Sequence, residues 1–207
     1  MIKERRTLLG LLASGLAYTV SRPAFAANLL TPSQMLGPFY PDKIPLDHDN
    51  DLTRVVGHDG IAIGDISHLI GRVLNPLGQP IVDAQIEIWQ CDAFGQYKHP
   101  RDGGGQDQAF QGYGRTRSGS NGEYRFKTIK PVTYPSRTPH IHMRIVSGTA
   151  KLATQIYVKG ERLNNSDFIL NSIHDTEARN SLIIPFVSEP GYPSDELVAQ
   201  FNPVVLA

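Results

Sequence analysis

Residues 134–142 read Tyr-Pro-Ser-Arg-Thr-Pro-His-Ile-His, and the alternating pattern that starts at His140 continues to Val146. As a strand, this run has a two-residue period, which places both histidines on the same face. The side chains on that face are His140, His142 and Arg144, and those on the other face are Ile141, Met143 and Ile145. The apolar face would pack on a core while the histidines face a polar environment. The stretch therefore predicts a β-strand that presents two imidazoles together.

Other short runs with aliphatic or alternating residues predict further strands. These runs cover residues 69–74, 84–90, 123–127, 152–158 and 202–206. Only Asn171 to Asn180 has helical character. The segment from Arg101 to Arg117 is polar and rich in glycine, which predicts a long loop, and such loops often carry function. Together these patterns predict an all-β protein, an antiparallel β-sandwich with long active-site loops and little helix.

The first 26 residues have the three parts of an export signal. They begin with charged residues, continue with an apolar run from Leu8 to Val20 and end in Ala24-Phe25-Ala26. The Arg5-Arg6 pair resembles a twin-arginine signal, which is an address and not an anchor; a general secretory signal is the alternative. The apolar run is shorter than the roughly 20 residues of a spanning helix, so no stable membrane anchor is expected. We expect an exported protein, periplasmic or secreted.

Composition limits the remaining organisation and the classes of partner. We expect an extended arm over residues 27–67 and one sandwich domain over residues 68–207. The chain has 20 basic and 20 acidic side chains, and residues 1–26 contain four of the basic and one of the acidic ones. The rest of the chain therefore has 16 basic and 19 acidic side chains. This balance lacks the excess of basic side chains that nucleic-acid binding requires, so we expect no nucleic-acid partner. Cys91 is the only cysteine, which excludes an intrachain disulfide.

Histidine is the commonest metal ligand, yet a His-x-His pair on a strand also occurs without a metal, and the dipeptide alone leaves both readings open. Tyr97 adds a phenol, because it follows the predicted strand that ends near Trp89 and lies where a loop can present it at the rim of a sandwich.

Several sequence blocks, in a fixed order, resemble the intradiol ring-cleavage dioxygenase family, and most of all the iron-bearing chain of its protocatechuate 3,4-dioxygenase branch. The blocks are Gly71-Arg72-Val73, Glu87-Ile88-Trp89-Gln90, Gly95-Gln96-Tyr97-Lys98-His99, residues 125–131, Tyr134-Pro135, residues 137–142 and Thr154-Gln155-Ile156-Tyr157. A weaker match covers Gly37-Pro38-Phe39.

The resemblance implies a non-haem Fe(III) site held by two tyrosines and two histidines. Carried over by position, the ligands would be Tyr97, Tyr134, His140 and His142. Phenolate is a hard oxygen donor that suits Fe(III), and a bound cation promotes deprotonation of a tyrosine whose ordinary pKa is about 10.

The family activity implied is the insertion of both atoms of O2 into a catechol-type ring, with cleavage between the two hydroxyl-bearing carbons to a cis,cis-muconate. The residues expected to act in catalysis are Arg137, Gln155 and Tyr134. Arg137 would stabilise developing negative charge, and Gln155 would orient Arg137. Trp89 would be a packing residue behind the Tyr97 loop.

The chain departs from the protocatechuate pattern between Tyr134 and Arg137, where only Pro135 and Ser136 intervene. This shortening changes the wall of the substrate pocket, so protocatechuate, catechol and hydroxyquinol all stay open as substrates, and a homo-oligomer is compatible with the sequence. The competing hypothesis is a non-catalytic secreted β-sandwich binding module of the same fold, because fold alone does not fix function.

Overall fold

The structure is a computed structural model that describes residues 28–103 and 107–206; the expected export signal and residues 104–106 of the expected loop lie outside this range. The strands are β1 Ile66–Arg72, β2 Gln85–Trp89, β3 Tyr113–Arg117, β4 Glu123–Ile129, β5 His140–Ser147, β6 Ala150–Val158, β7 Ile183–Ile184 and β8 Leu197–Gln200. Two short helices, α1 Phe168–Asn171 and α2 Thr176–Asn180, follow β6. Single 3-10 turns cover Pro100–Asp102 and Arg162–Asn165.

The strands form two sheets. One sheet has the order β4-β1-β8, and the other has the order β3-β2-β5-β6-β7. Neighbouring strands are antiparallel except for β1 with β8 and β6 with β7, which are parallel. The predicted β-sandwich is therefore confirmed, with two parallel pairs that join strands far apart in sequence.

The core lies between the inner faces of the two sheets. Leu69 and Phe126 are paired across β1 and β4, and Ile88 and Met143 are paired across β2 and β5. All four side chains are fully buried and belong to one continuous apolar cluster. Burial of each such side chain contributes roughly 1.5–3 kcal/mol to folding. The alternation in β2 and β5 therefore fixes which side chains face away from the core.

Residues 28–65 contain no helix or strand, but they are tied to both sheets by backbone hydrogen bonds. Gln34 donates its backbone N–H to β6, Leu52 donates to β4, and the carbonyl of His48 accepts from β3. Leu52 is fully buried in the main core. The arm therefore packs against both sheets as an integral part of the domain.

Three sequence predictions of secondary structure need correction. The expected loop over residues 101–117 ends in a strand, β3, which is an edge strand whose outer side pairs with the arm. The expected last strand over residues 202–206 is only an isolated bridge at Val204, and the true last strand is β8. The expected helix over residues 171–180 is replaced by two short helices. Helix α1 ends at Asn171, and α2 begins at Thr176 after its N-cap residue Asp175.

Over residues 28–103 and 107–206, no helix combines the length and the apolar character that crossing a bilayer requires.

Candidate active site

The outer face of the five-stranded sheet carries a row of four side chains. Strand register places Tyr113, Trp89, His142 and Gln155 abreast across β3, β2, β5 and β6. His140 stands one pleat away on β5, opposite Tyr157 of β6. These outward side chains are all at least 98% buried, because the arm and two loops cover this face. The histidines face polar groups, as expected, but the arm and neighbouring aromatic rings bury them.

His140 and His142 point their Nε2 atoms at each other, 3.2 Å apart. The Nδ1 of His140 lies 2.6 Å from the carbonyl oxygen of Thr138, and since a carbonyl only accepts, Nδ1 donates and Nε2 keeps a lone pair. Burial, followed by the charge of Arg137, lowers the pKa of His140 to about 4. Burial also lowers the pKa of His142 well below its ordinary value. Both imidazoles are therefore neutral near pH 7, the form that binds cations.

Two phenols stand beside the imidazoles. The hydroxyl oxygen of Tyr97 lies 3.5 Å from His140 Nε2, and the Tyr134 ring is 5.3 Å from the Tyr97 ring and 5.7 Å from the His140 ring. Tyr97 is 2% exposed, whereas Tyr134 is half-buried at the rim. Burial raises the pKa of both hydroxyls. Without a cation, both phenols are protonated near pH 7.

The loops that carry these phenols meet through a glycine. Gly95 adopts a φ of +75°, and a Cβ at this position would lie 2.7 Å from the carbonyl oxygen of Thr133. A side chain here would force the Tyr97 loop away from the segment that leads into Tyr134. The glycine is therefore required to bring the two phenols together.

The donor set fits a metal ion. Two ligands bonded at about 2.1 Å and at right angles lie about 3 Å apart, close to the 3.2 Å between the two Nε2 atoms. Among the described residues, no group of three or more His, Cys, Asp or Glu side chains could hold a metal, so any centre here depends on the phenols. Two phenolates and two neutral imidazoles suit a hard, highly charged cation such as Fe(III).

A tight turn joins Tyr134 to Arg137. The backbone N–H of Arg137 donates to the carbonyl of Tyr134 at 3.0 Å, with Pro135 at the first inner position and Ser136 at the second. Ser136 has a φ of +67°, which the second inner position of a type II turn requires and which a proline before it favours. The short link noted in the sequence therefore sets a phenol and a guanidinium side by side.

Arg137 is 5% exposed and is held along one edge. Its Nε donates to Asp167 Oδ2 at 2.7 Å, and its Nη2 donates to Gln155 Oε1 at 2.6 Å. Burial alone would lower the pKa of Arg137, but the hydrogen bond to Asp167 raises it. The guanidinium stays charged beside the candidate ligands.

The structure brings together every site residue that the sequence singled out, and it adds three that the sequence did not. Asp167 pairs with Arg137, and the side chain of Gln34 contacts both the Tyr157 hydroxyl and the backbone N–H of Gln155. Asp167 and Gln34 belong to segments without periodicity, so no sequence signal marks them. Tyr157 belongs to the Thr154-Gln155-Ile156-Tyr157 block, and its place in that block is the sequence signal that marks it as a site residue.

The arm closes the site from above. Phe39 stacks on Tyr97, with ring centroids 4.5 Å apart. Gly37 has a φ of +78°, and a Cβ there would lie 3.1 Å from Cε1 of His142. The short Gly-Pro-Phe block therefore lies directly on the candidate ligands. Trp89 packs from the side and lies parallel to the His142 ring at 4.8 Å and 6°, so it contacts a candidate ligand directly as well as the Tyr97 cluster.

The rim beyond Arg137 is apolar and open. Phe168 lies under the Arg137 guanidinium at 5.6 Å and is 66% exposed, and Met35 is 58% exposed. Both line a surface depression of about 390 Å³. An exposed aromatic ring therefore lies directly beside the buried Arg137 guanidinium.

Comparison with known proteins adds a family to this geometry. A dioxygenase family model matches residues 35–206. The protocatechuate 3,4-dioxygenase beta chain of Burkholderia cepacia is 36% identical over 156 residues, which cover 70% of this chain and 65% of the relative. The hydroxyquinol 1,2-dioxygenase of Rhodococcus opacus is 29% identical over 198 residues, which cover 86% and 60%. The chain thus matches less than two thirds of the length of either relative.

A similar solved structure is the dioxygenase domain of a dioxygenase and carbohydrate-binding protein fusion from Streptomyces sp. SirexAA-E. It superposes with a TM-score of 0.66 at 26% identity and covers 86% of this chain and 99% of that domain. The likeness extends over nearly the whole of that domain.

Proposed function

The chain belongs to the intradiol dioxygenase family, and from that premise we propose that it cleaves a catechol-type ring at a non-haem Fe(III) centre. The observation that supports this proposal most is the convergence of two phenols and two neutral imidazoles on one buried face. The ligands would be Tyr97, Tyr134, His140 and His142. An iron-free binding module would have no need for this donor set.

Ferric iron, when bound here, would supply a Lewis acid that takes up both oxygens of a catechol and draws electron density from its ring. The protein's own groups prepare that chemistry. The Thr138 carbonyl fixes the proton of His140 on Nδ1 and leaves Nε2 as the donor atom. Trp89, Phe39 and Gly37 pack on the donor groups and exclude water from them.

Tyr134 and Arg137 would act on the substrate itself. Tyr134 is the more exposed of the two phenols, and as the phenolate that a bound cation would promote, its Oη would be the atom placed to accept a proton from a substrate hydroxyl. Arg137 is a buried cation beside the candidate ligands, and it would stabilise negative charge that develops on the substrate. Gln155 would hold the Arg137 guanidinium through the 2.6 Å hydrogen bond.

We propose a protocatechuate-like catechol as the substrate, with O2 as co-substrate and a cis,cis-muconate as the product. The 36% identity to a protocatechuate 3,4-dioxygenase beta chain supports this class, and the identity to a hydroxyquinol 1,2-dioxygenase keeps the neutral catechols in the test. Phe168 offers an exposed aromatic face beside Arg137.

The test combines iron content, colour and oxygen uptake. The purified protein should contain about one iron per chain and be red-brown from ferric tyrosinate, and it should consume O2 with one or more of protocatechuate, catechol and hydroxyquinol. The product should absorb as a muconate. A yellow semialdehyde would indicate cleavage at the wrong bond, and an iron-reconstituted protein that is colourless and inert would overturn the proposal.

Two variants assign the colour to the site. Tyr134→Phe should weaken the tyrosinate absorption, and His142→Ala should abolish iron binding. Tyr192→Phe is a matched control, because Tyr192 packs on His68 in the other sheet and its loss should leave the colour unchanged. Equal effects of Tyr134→Phe and Tyr192→Phe would reject Tyr134 as a ligand.

We also propose that residues 1–26 direct export by the twin-arginine route. Changing both Arg5 and Arg6 to lysine should leave the precursor in the cytoplasm of a bacterial host, whereas a general secretory signal would tolerate the change. Assembly into a homo-oligomer is a further proposal, which sedimentation of the iron-loaded chain can decide.

A further inference from the structure

Asp167 is the buried group that holds Arg137, and it lies 30 residues away from it in sequence. Its side chain is fully buried, and that of Arg137 is 5% exposed. Asp167 Oδ2 accepts from Arg137 Nε at 2.7 Å, and Oδ1 accepts a weaker contact from Nη2 at 3.4 Å. A carboxylate that engages two nitrogens of a planar guanidinium fixes both its position and its plane.

The same carboxylate joins Arg137 to the strand that carries the histidines. Oδ2 also accepts the backbone N–H of Thr138 at 3.1 Å, and the carbonyl of Thr138 accepts from His140 Nδ1 at 2.6 Å. Asp167 therefore anchors the Arg137 guanidinium to the backbone that leads into β5.

The carboxylate is itself held in place. Oδ1 accepts the backbone N–H groups of Ile169 and Leu170, so Asp167 is the N-cap of α1. Burial alone would raise the pKa of Asp167, but the hydrogen bond from Arg137 and those from Leu170 and Thr138 lower it. The group is charged and rigid near pH 7.

Uncharged side chains complete the support of Arg137 at Nη2. Gln155 Oε1 accepts from Arg137 Nη2 and from the Tyr157 hydroxyl, and Gln34 contacts Tyr157 and the backbone of Gln155. Hydrogen bonds occupy Nε and Nη2, which leaves the Nη1 side of the guanidinium directed away from these partners. Asp167 supplies the only carboxylate that the described residues bring within salt-bridge distance of Arg137.

We propose that Asp167 is a positioning residue for the ring-cleavage reaction, which rests on the proposed function: its carboxylate sets the guanidinium of Arg137 at the angle needed to face the substrate ring. Among the described residues, the hydrogen bonds of the Asp167 side chain go to Arg137 and to backbone N–H groups, and none goes to a candidate ligand side chain. It acts through Arg137, so its effect should vanish when Arg137 is absent.

The experiment is a kinetic double-mutant cycle on the full-length, iron-loaded chain. Asp167→Asn should lower kcat about 10- to 100-fold with KM unchanged, while the iron content and the tyrosinate absorption stay at wild-type levels. In an Arg137→Gln background, Asp167→Asn should change kcat less than about twofold. Asp167→Glu should restore part of kcat, because it keeps the charge.

A matched control separates positioning from helix capping. Asp175 caps α2 through Ala178 as Asp167 caps α1, and it lies exposed outside the site. Asp175→Asn should lower the urea midpoint of unfolding and leave kcat unchanged. If Asp167→Asn also leaves kcat unchanged, or lowers it by the same factor with and without Arg137, the proposal is overturned.

Unfolding gives a readout that needs no turnover. Asp167→Asn alone leaves the buried Arg137 guanidinium without its ion-pair partner. In the Arg137→Gln background that guanidinium is absent, so Asp167→Asn should shift the urea midpoint less. The double variant should fold even if Asp167→Asn alone does not. An inert wild-type protein would refute the proposed function, and equal midpoint shifts in both backgrounds would independently refute the pairing.

Discussion

Replacing Gly37 by alanine tests whether the arm sets the orientation of His142. Gly37 has a φ of +78°, where an L side chain costs about 1–2 kcal/mol of folding free energy. The new Cβ would also lie 3.1 Å from Cε1 of His142, and relief of such overpacking costs about 1 kcal/mol more. We therefore expect a loss of about 2–3 kcal/mol in stability together with a disturbed imidazole.

Gly57 provides the matched control for this change. It has a φ of +85°, and a Cβ there would meet nothing within 4 Å. Gly57→Ala should therefore carry the backbone cost of about 1–2 kcal/mol without the contact. The difference between the two variants isolates the contact with His142.

The assay measures urea unfolding of both variants and titrates ferric iron while recording the tyrosinate absorption. Gly37→Ala should bind iron about 10- to 100-fold more weakly, as disturbed ligand support does elsewhere, and Gly57→Ala should bind it as the wild type does. Equal iron affinity in the two variants would refute the reasoning, since it would mean that the His142 ring does not depend on the arm.

Three further predictions concern the rest of the sandwich. Burial alone would raise the pKa of Glu196, but hydrogen bonds from the buried His68 imidazole of β1 and from Lys127 lower it. Its stabilising effect is therefore full above the unfolded-state pKa and is lost as pH falls through the lowered folded-state pKa, so the gap in urea midpoint between wild type and Glu196→Gln should begin to narrow below about pH 5. Gly71→Ala would set a Cβ 1.7 Å from the carbonyl oxygen of Phe201 and should cost about 3 kcal/mol or prevent folding, which soluble yield and thermal melting can measure. Tyr124 donates its hydroxyl to the same carbonyl at 2.7 Å, so Tyr124→Phe should lose about 1 kcal/mol in urea unfolding, and an unchanged midpoint would contradict that contribution.

The strands that pack on the core could be read from the sequence, because alternation of apolar residues directly reflects burial. Strand β5 is the clearest case: the face that carries Ile141, Met143 and Ile145 is fully buried, as its pattern requires. Strand β3 could not be read in this way, because it contains a glycine and two arginines and its outer edge is completed by the arm. Its formation depends on partners that a local window does not contain.

The candidate site also combines residues that local sequence marks with residues that only long-range contacts bring in. The phenols, imidazoles and Arg137 are marked by residue type and spacing, and the structure brings them within contact of one another. Asp167 and Gln34 act through single long-range hydrogen bonds that leave no periodic trace. The burial of the histidines could not be read from the sequence for a related reason: the layer that covers them comes from an arm whose sequence shows no pattern.

The parallel stack of Trp89 on His142 gives the molecule a built-in optical reporter. Trp89 is the single tryptophan of the chain, and it lies 4.8 Å from a candidate ligand ring while being 1% exposed. All indole emission from the protein therefore originates beside the proposed metal. Iron loading would quench that emission, and its wavelength would shift to the red only when water reaches the site, so one spectrum distinguishes loss of the metal from loss of the fold.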